Sequence, residues 1–77
     1  MKELISFIVR GLVEFPDAVE IRDVFENNET VYYVSVDERD LGKVIGKGGR
    51  IADSIRAIVK AAAVKQKANV FVKIVSG

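Results

Sequence analysis

Glycines and basic side chains are concentrated in one short stretch in the middle of the chain. The glycines are Gly46, Gly48 and Gly49, and the cations around them are Lys43, Lys47 and Arg50. Glycine has no Cβ atom, so such a turn can adopt positive φ and let a ligand approach the backbone. The first amides of a helix that begins after the turn have no intrahelical partner, and they attract an anion. The stretch therefore predicts a phosphate-binding turn between two helices.

Two nucleotide-binding motifs are similar to this stretch, but neither fits it. In the motif G-x-x-x-x-G-K-[ST], Gly42 would precede Gly46 by one residue too few, and Gly48 stands where a magnesium-binding hydroxyl is needed. The dinucleotide-binding pattern G-x-G-x-x-G is absent, and no predicted strand leads directly into the turn. Nucleotide hydrolysis is therefore not expected.

The composition narrows the chemistry further. The chain has 77 residues, of which 49% are hydrophobic and 30% charged, which indicates one small folded domain over residues 1–77. It has no cysteine and no histidine, which excludes disulfides, thiolate or imidazole metal sites, cysteine nucleophiles and histidine bases. We expect a protein that is not an enzyme and holds no cofactor or metal. The N-terminal segment resembles neither a signal peptide nor a membrane span, which favours the cytoplasm.

The net charge of +1 hides an uneven distribution along the chain. Residues 14–40 contain nine acidic and two basic residues, whereas residues 41–60 contain five basic and one acidic residue. A cluster of basic residues is the electrostatic signature of phosphate binding, even in a nearly neutral chain. The charge therefore supports a phosphate ligand at the glycine turn.

The periodicity of apolar residues predicts an α+β fold in the order α-β-β-α-α-β, with a three-stranded sheet and helices on one face. Leu4, Ile8 and Leu12 mark the face of the first helix, and Ile51, Ile55, Ile58, Val59 and Ala62 mark that of the long helix. In the first predicted strand Val24 is out of phase with its neighbours, which is compatible with a bulge. The predicted elements are a helix over 2–13, strands over 19–26 and 30–36, a helix over 38–45, the loop 46–49, a helix over 49–66 and a strand over 69–76.

Asp37, Glu38 and Asp40 form an acidic group that could hold a metal ion or act as catalytic acids. They precede a predicted helix, with Asp37 at the N-cap position and Asp40 three residues later. Carboxylates are favourable at that end of a helix. We therefore interpret them as capping residues, and keep a metal or enzymatic site as a minor alternative.

The stretch Val44-Ile45-Gly46-Lys47-Gly48-Gly49-Arg50-Ile51, followed by Ile55, resembles the V-I-G-x-x-G-x-x-x-x-x-I core of the KH domain. The element order resembles the type II, prokaryotic arrangement of that fold. With almost no residues left over, the chain is similar to the small bacterial single-KH proteins of the KhpA/YlqC family.

This resemblance implies a protein that binds about four nucleotides of single-stranded RNA in a groove. One wall would be the two helices and the loop, and the other would be strand 30–36 and the segment after the long helix. Phosphates would contact the loop and its cations, and bases would lie on apolar side chains, including Tyr32, Val34 and Val36. The implied RNA-binding residues are Lys43, Val44, Ile45, Gly46, Lys47, Gly48, Gly49, Arg50 and Ile51, with Arg56 and Lys60 as weaker candidates.

The family resemblance further implies an RNA chaperone that affects cell shape and division. Its partners would be single-stranded RNA and either a second copy of the chain or a larger KH-containing RNA-binding protein. Two alternatives stay open, namely a module for protein association that binds little RNA, and a binder of single-stranded DNA. Asp53 departs from the family pattern, because many small bacterial members have a basic residue there, and its charge would repel a phosphate.

Overall fold

The computed structural model describes residues 1–76, so the predicted domain boundary at residue 77 lies outside the described residues. Three helices, three strands and three short 3-10 turns form one α+β unit over these residues, as the fold class and element order predicted. The turns are Pro16–Ala18, Glu38–Asp40 and Lys47–Gly49. The helices and strands are α1 Lys2–Leu12, β1 Glu20–Glu26, β2 Glu29–Val36, α2 Leu41–Ile45, α3 Arg50–Lys65 and β3 Val70–Ser76.

The sheet has the strand order β1-β2-β3, with β2 in the centre. Strands β1 and β2 form an antiparallel hairpin, whereas β2 and β3 run parallel. Asn27 and Asn28 join the hairpin with φ values of 52° and 62°, a conformation that asparagine tolerates in two-residue turns. The pairing of β1 with β2 is continuous from Glu20 to Glu26, so the bulge that the sequence allowed is absent.

The core lies between the helices and one face of the sheet. Side chains on alternate strand positions, such as Val34, Val36 and Val72, pack there against α1 and α3. The opposite face of the sheet contains Val24, Val31 and Phe71 in one row, and Arg22, Tyr33 and Lys73 in the next.

The helices turn toward this core a stripe that coincides only in part with the predicted one, since Ile55 and Val59 are buried as predicted and Ile8 and Ile51 pack against the core. In α1 the buried residues are Ile5 and Val9, while Leu12 is exposed; in α3 they are Ala52, Ile55, Val59 and Ala63, while Ile58 is 49% exposed. Apolar residues occur on both sides of each stripe, so periodicity fits two neighbouring rotations of the helix. Packing against the sheet selects one of them.

The helix predicted over residues 38–45 is shorter and begins differently. Glu38–Asp40 forms a 3-10 turn, and the α-helix itself covers only Leu41–Ile45. Asp37 caps the turn, because its side chain accepts hydrogen bonds from the Arg39 amide and from the Arg39 side chain. These hydrogen bonds, that of the side chain first, lower the pKa of Asp37 from 3.8 to about 2.

Asp40 connects this turn to the end of α1. Its side chain is 0% exposed, and its two carboxylate oxygens accept hydrogen bonds of 2.9 Å from the Glu14 and Phe15 amides. The Arg39 guanidinium lies 3.7 Å from the centre of the Phe15 ring and covers the same contact. The prediction that Asp40 caps its own helix is therefore wrong. Its side chain instead joins two segments that are 25 residues apart.

Within residues 1–76 no three histidine, cysteine, aspartate or glutamate side chains converge as potential metal ligands.

The same residues contain no helix whose length and apolar character would let it cross a bilayer.

We predict that Asp40→Asn lowers the free energy of unfolding by about 2 to 4 kcal/mol, since an amide group would face an N–H donor and the charge-assisted bonds would be lost. Urea denaturation monitored by circular dichroism measures this change. The matched control is Asp17→Asn, an exposed carboxylate that should change stability by less than about 0.5 kcal/mol. Equal stability of the two variants would contradict the structural role of Asp40.

Candidate nucleic-acid interface

The loop between α2 and α3 has a backbone that favours glycine at three positions. Gly46, Gly48 and Gly49 have φ values of 77°, 65° and 77°, which L-residues with a side chain rarely adopt. The amide of Gly49 donates to the Gly46 carbonyl at 3.2 Å, so the chain folds back on itself within one turn. All three glycines lie in the turn between α2 and α3, whereas a helix C-cap alone would need only one.

Gly46 is required for a second reason, which is contact with the following helix. A Cβ atom at this position would lie 2.6 Å from Cγ1 of Ile51, which is closer than packed carbon atoms approach. At Gly48 and Gly49 a Cβ atom would meet nothing within 4 Å. Gly46 thus allows the loop to close on α3, while Gly48 leaves the outer surface of the loop open.

The two cations that follow in the chain are available to a ligand. Lys47 and Arg50 are exposed, and neither forms an ion pair in the part of the chain that the structure describes. The turn is closed by the Gly49 and Arg50 amides, which leaves those of Lys47 and Gly48 without a partner inside the turn. Two cations and two free amides at the N-terminus of the 16-residue α3 form an anion-attracting surface.

Lys43 is not brought into this group. Its ammonium nitrogen lies 3.1 Å from a Glu14 carboxylate oxygen and 3.8 Å from Oδ1 of the buried Asp40. Its positive charge is therefore paired with these two carboxylates at the junction between α1 and α2. The sequence showed its proximity to the glycines in the chain but not the acidic partner 29 residues away.

The apolar residues of the predicted site fall into two groups. Ile45 and Ile51 are partly exposed beside the loop. In contrast, Val44 is 0% exposed, and Val34 and Val36 are 0% and 1% exposed in the core. These three side chains are therefore corrected from predicted groove lining to core. Val34 and Val36 lie on the face of the sheet that the helices cover, and Val44 points from α2 into the same core.

The second wall of the predicted groove also differs from the prediction. Strand β2 lies in the centre of the sheet, so its edges are paired on both sides. Strand β3 is at the edge next to α3 and has one free row of backbone groups. The wall opposite the loop is therefore β3, which belongs to the segment after the long helix that the sequence also assigned to this wall. Strand 30–36, the other part of the predicted wall, is corrected by the strand order.

Arg56, which the sequence indicated only as a weaker RNA-binding candidate, contacts this wall directly. Its Nε donates to the Val72 carbonyl at 2.9 Å, and its Nη1 lies 3.2 Å from Oδ1 of Asp53. The acidic residue that departed from the family pattern thus has a partner one helical turn away. The i,i+3 spacing of Asp53 and Arg56 was the available signal, since such pairs meet on a helix surface.

Comparisons with known proteins agree over nearly the whole chain. Residues 2–74 match the family described as KhpA/KhpB, KH domain. A protein of Caldanaerobacter subterraneus subsp. tengcongensis named RNA-binding protein KhpA is 47% identical over 75 residues, which cover 97% of this chain and 100% of that protein. The protein of the same name from Clostridium perfringens is 44% identical over the same share of both chains.

The same fold occurs in part of a solved structure of the protein Era. A crystal structure of Aquifex aeolicus Era Y63A bound to GDP.AlF4- aligns with 96% of this chain at a TM-score of 0.66 and 17% identity. The chain spans only 29% of that Era chain. At this identity the match supports the fold alone.

We predict that Gly46→Ala lowers the free energy of unfolding by about 2 to 4 kcal/mol, because it adds both a steric clash with Ile51 and backbone strain. Gly48→Ala should cost only about 1 to 2 kcal/mol, since it adds strain without a clash. Gly42→Ala, inside α2 with open space around it, should be neutral or stabilising by up to about 1 kcal/mol. Urea denaturation of the three variants gives this order, and a Gly46→Ala variant as stable as Gly42→Ala would contradict it.

Proposed function

Because this chain belongs to the KhpA/KhpB family of KH domains, we propose that it binds single-stranded RNA through the loop Lys47–Gly49 and the start of α3. The family is one of RNA-binding KH proteins and not a class of enzyme. The observation that carries the proposal is an exposed pair of cations beside backbone amides that the loop leaves free. Relatives named RNA-binding protein KhpA support the choice of RNA as ligand.

In this mechanism the loop holds phosphates and the groove holds bases. The free amides of Lys47 and Gly48 donate to phosphate oxygens, while Lys47 and Arg50 supply compensating charge. The open space around Gly48 allows the sugar-phosphate chain to lie against the backbone. The partly exposed side chains of Ile45 and Ile51 then give the bases an apolar surface. A loop of this type clamps about four nucleotides.

The number of cations predicts a modest dependence on salt. If Lys47 and Arg50 neutralise two phosphates, the slope of log affinity against log salt should be about −1.4, using about −0.7 per phosphate of a single strand. Such few contacts also limit the affinity of one domain. A second copy of the chain, or a larger RNA-binding protein with its own KH domain, would add affinity by binding the same RNA.

We further propose that short, weak contacts of this kind suit an RNA chaperone, which must release its RNA as well as bind it. The cytoplasm, where such RNA is found, is its proposed place of action, and effects on cell shape and division would follow from its RNA targets. The acidic region 14–40 favours the second candidate function, protein association through a KH fold, in which the loop would be dispensable.

We predict that a short single-stranded RNA shifts the amide resonances of Gly46 to Arg50 in ¹⁵N NMR spectra, because the ligand contacts these amides. Duplex RNA should give smaller shifts, since its paired bases cannot enter a narrow groove. The double variant Lys47→Asp, Gly48→Asp should lose these shifts while retaining a folded spectrum.

The matched control for this titration is Arg10→Asp, Gly11→Asp. It changes an adjacent basic residue and glycine on the exposed side of α1 and alters the net charge equally. This variant should bind RNA like the native chain. Binding that survives in the loop variant, or that falls equally in both variants, would favour general electrostatic attraction or protein association over the loop mechanism. A titration with single-stranded DNA of the same sequence tests whether the ligand is RNA alone.

A further inference from the structure

The guanidinium of Arg56 is held in a fixed orientation beside the edge of the sheet. Nε–H donates to the Val72 carbonyl, one Nη1–H is directed to Asp53, and the guanidinium carbon lies 5.4 Å from the centre of the Phe71 ring. The side chain is still 33% exposed. Three contacts from α3 and β3 thus orient one planar group whose outer part faces solvent.

Most of the hydrogen-bonding capacity of this group is unused. A guanidinium has five N–H donors, and the contacts within residues 1–76 engage Nε and Nη1 but not Nη2. The planar shape presents the remaining donors side by side, which suits two neighbouring acceptors on one ligand. The unused donors of Arg56 therefore match the geometry of a planar pair of acceptors.

The charge of Arg56 argues against a phosphate as its ligand. The Asp53 carboxylate lies 3.2 Å from Nη1 of Arg56 and compensates its positive charge. By contrast, no carboxylate within residues 1–76 forms an ion pair with Lys47 or Arg50. A phosphate approaching Arg56 would meet the Asp53 carboxylate, which is 74% exposed. A neutral base edge would not be repelled in this way.

The position of Arg56 places it in the groove rather than at the phosphate site. It follows Arg50 by six residues, or about 9 Å along the axis of α3. It also bridges α3 to the edge strand β3, which are the two walls of the groove. The clamped RNA segment of about four nucleotides is long enough to span this distance.

We propose that Arg56, oriented by Asp53 and the Val72 carbonyl, is a specificity-determining residue that selects a base with two adjacent hydrogen-bond acceptors. This inference rests on the proposed function, because it assigns base preference within the same groove. Guanine offers such a pair in O6 and N7, and unpaired cytosine offers one in O2 and N3. Adenine and uracil offer no such pair, because adenine N1 and N7 each lie beside the amino donor and uracil O2 and O4 each lie beside the N3–H donor.

The test compares five-nucleotide RNAs by fluorescence anisotropy. The set consists of pentauridine and of pentauridine with one guanosine, cytidine or adenosine at each position in turn. The native chain should bind the best guanosine or cytidine RNA about tenfold more tightly than pentauridine, which one bidentate base contact can supply. Adenosine substitutions should change affinity by less than about twofold. Comparing the guanosine and cytidine series identifies which of the two bases Arg56 selects.

Arg56→Lys is the decisive variant, because it keeps the charge and removes the planar fork. It should reduce the base preference to less than about twofold while affinity for pentauridine changes by less than about twofold. Asp53→Asn should also weaken the preference, but it should raise pentauridine affinity and steepen the salt dependence, since the freed guanidinium can then contact phosphate. Lys65→Gln, which removes an exposed cation near the end of α3, is the control and should retain the preference.

Each outcome decides for or against the inference, provided that ¹⁵N spectra show folded variants. A native chain that binds all RNAs equally overturns it, as does a preference that persists in Arg56→Lys. A parallel loss of affinity for every RNA in Arg56→Lys also overturns it, because Arg56 would then be a phosphate or scaffold contact. If binding is lost in Gly48→Asp but never depends on Arg56, the proposed function stands and this inference fails. If the native chain binds no RNA, both fail.

Discussion

The buried carboxylate of Asp40 is the contact on which the relative placement of the helices depends. It accepts hydrogen bonds from two consecutive amides, those of Glu14 and Phe15, at a point where α1 has ended and the chain turns toward the sheet. A buried charge is costly unless it is fully paired, so this contact strongly favours one arrangement of the two segments. Because α2 begins at the next residue, Asp40 also fixes where α2, and therefore the glycine loop, lies against the sheet.

From this fixed point the loop is held by packing on its inner side and is free on its outer side. Val44 anchors α2 in the core, and the missing Cβ of Gly46 lets the loop close on Ile51. The outer residues Lys47 and Gly48 have no such constraints and are exposed. This division explains how a rigid backbone can present free amides while the charged side chains adapt to the ligand.

The sequence was sufficient for the fold class, the element order and the loop, because these depend on local periodicity and on glycine spacing. It was not sufficient for contacts between segments far apart in the chain. The amide partners of Asp40, the Glu14 partner of Lys43 and the Val72 partner of Arg56 all belong to this class. Burial was misjudged for a related reason, since the strand order that makes β3 the edge, and leaves Val36 under the helices, is a property of the whole sheet.

The central claim is that single-stranded RNA lies against the loop and along the edge of β3. Intermolecular nuclear Overhauser effects between an isotope-labelled chain and an unlabelled short RNA test this claim most directly, because they arise only between protons in close contact. The account predicts such effects from ribose protons to Gly48 and from base protons to Ile51. Effects confined to Arg22 and Tyr33, on the face of the sheet opposite the helices, would contradict it.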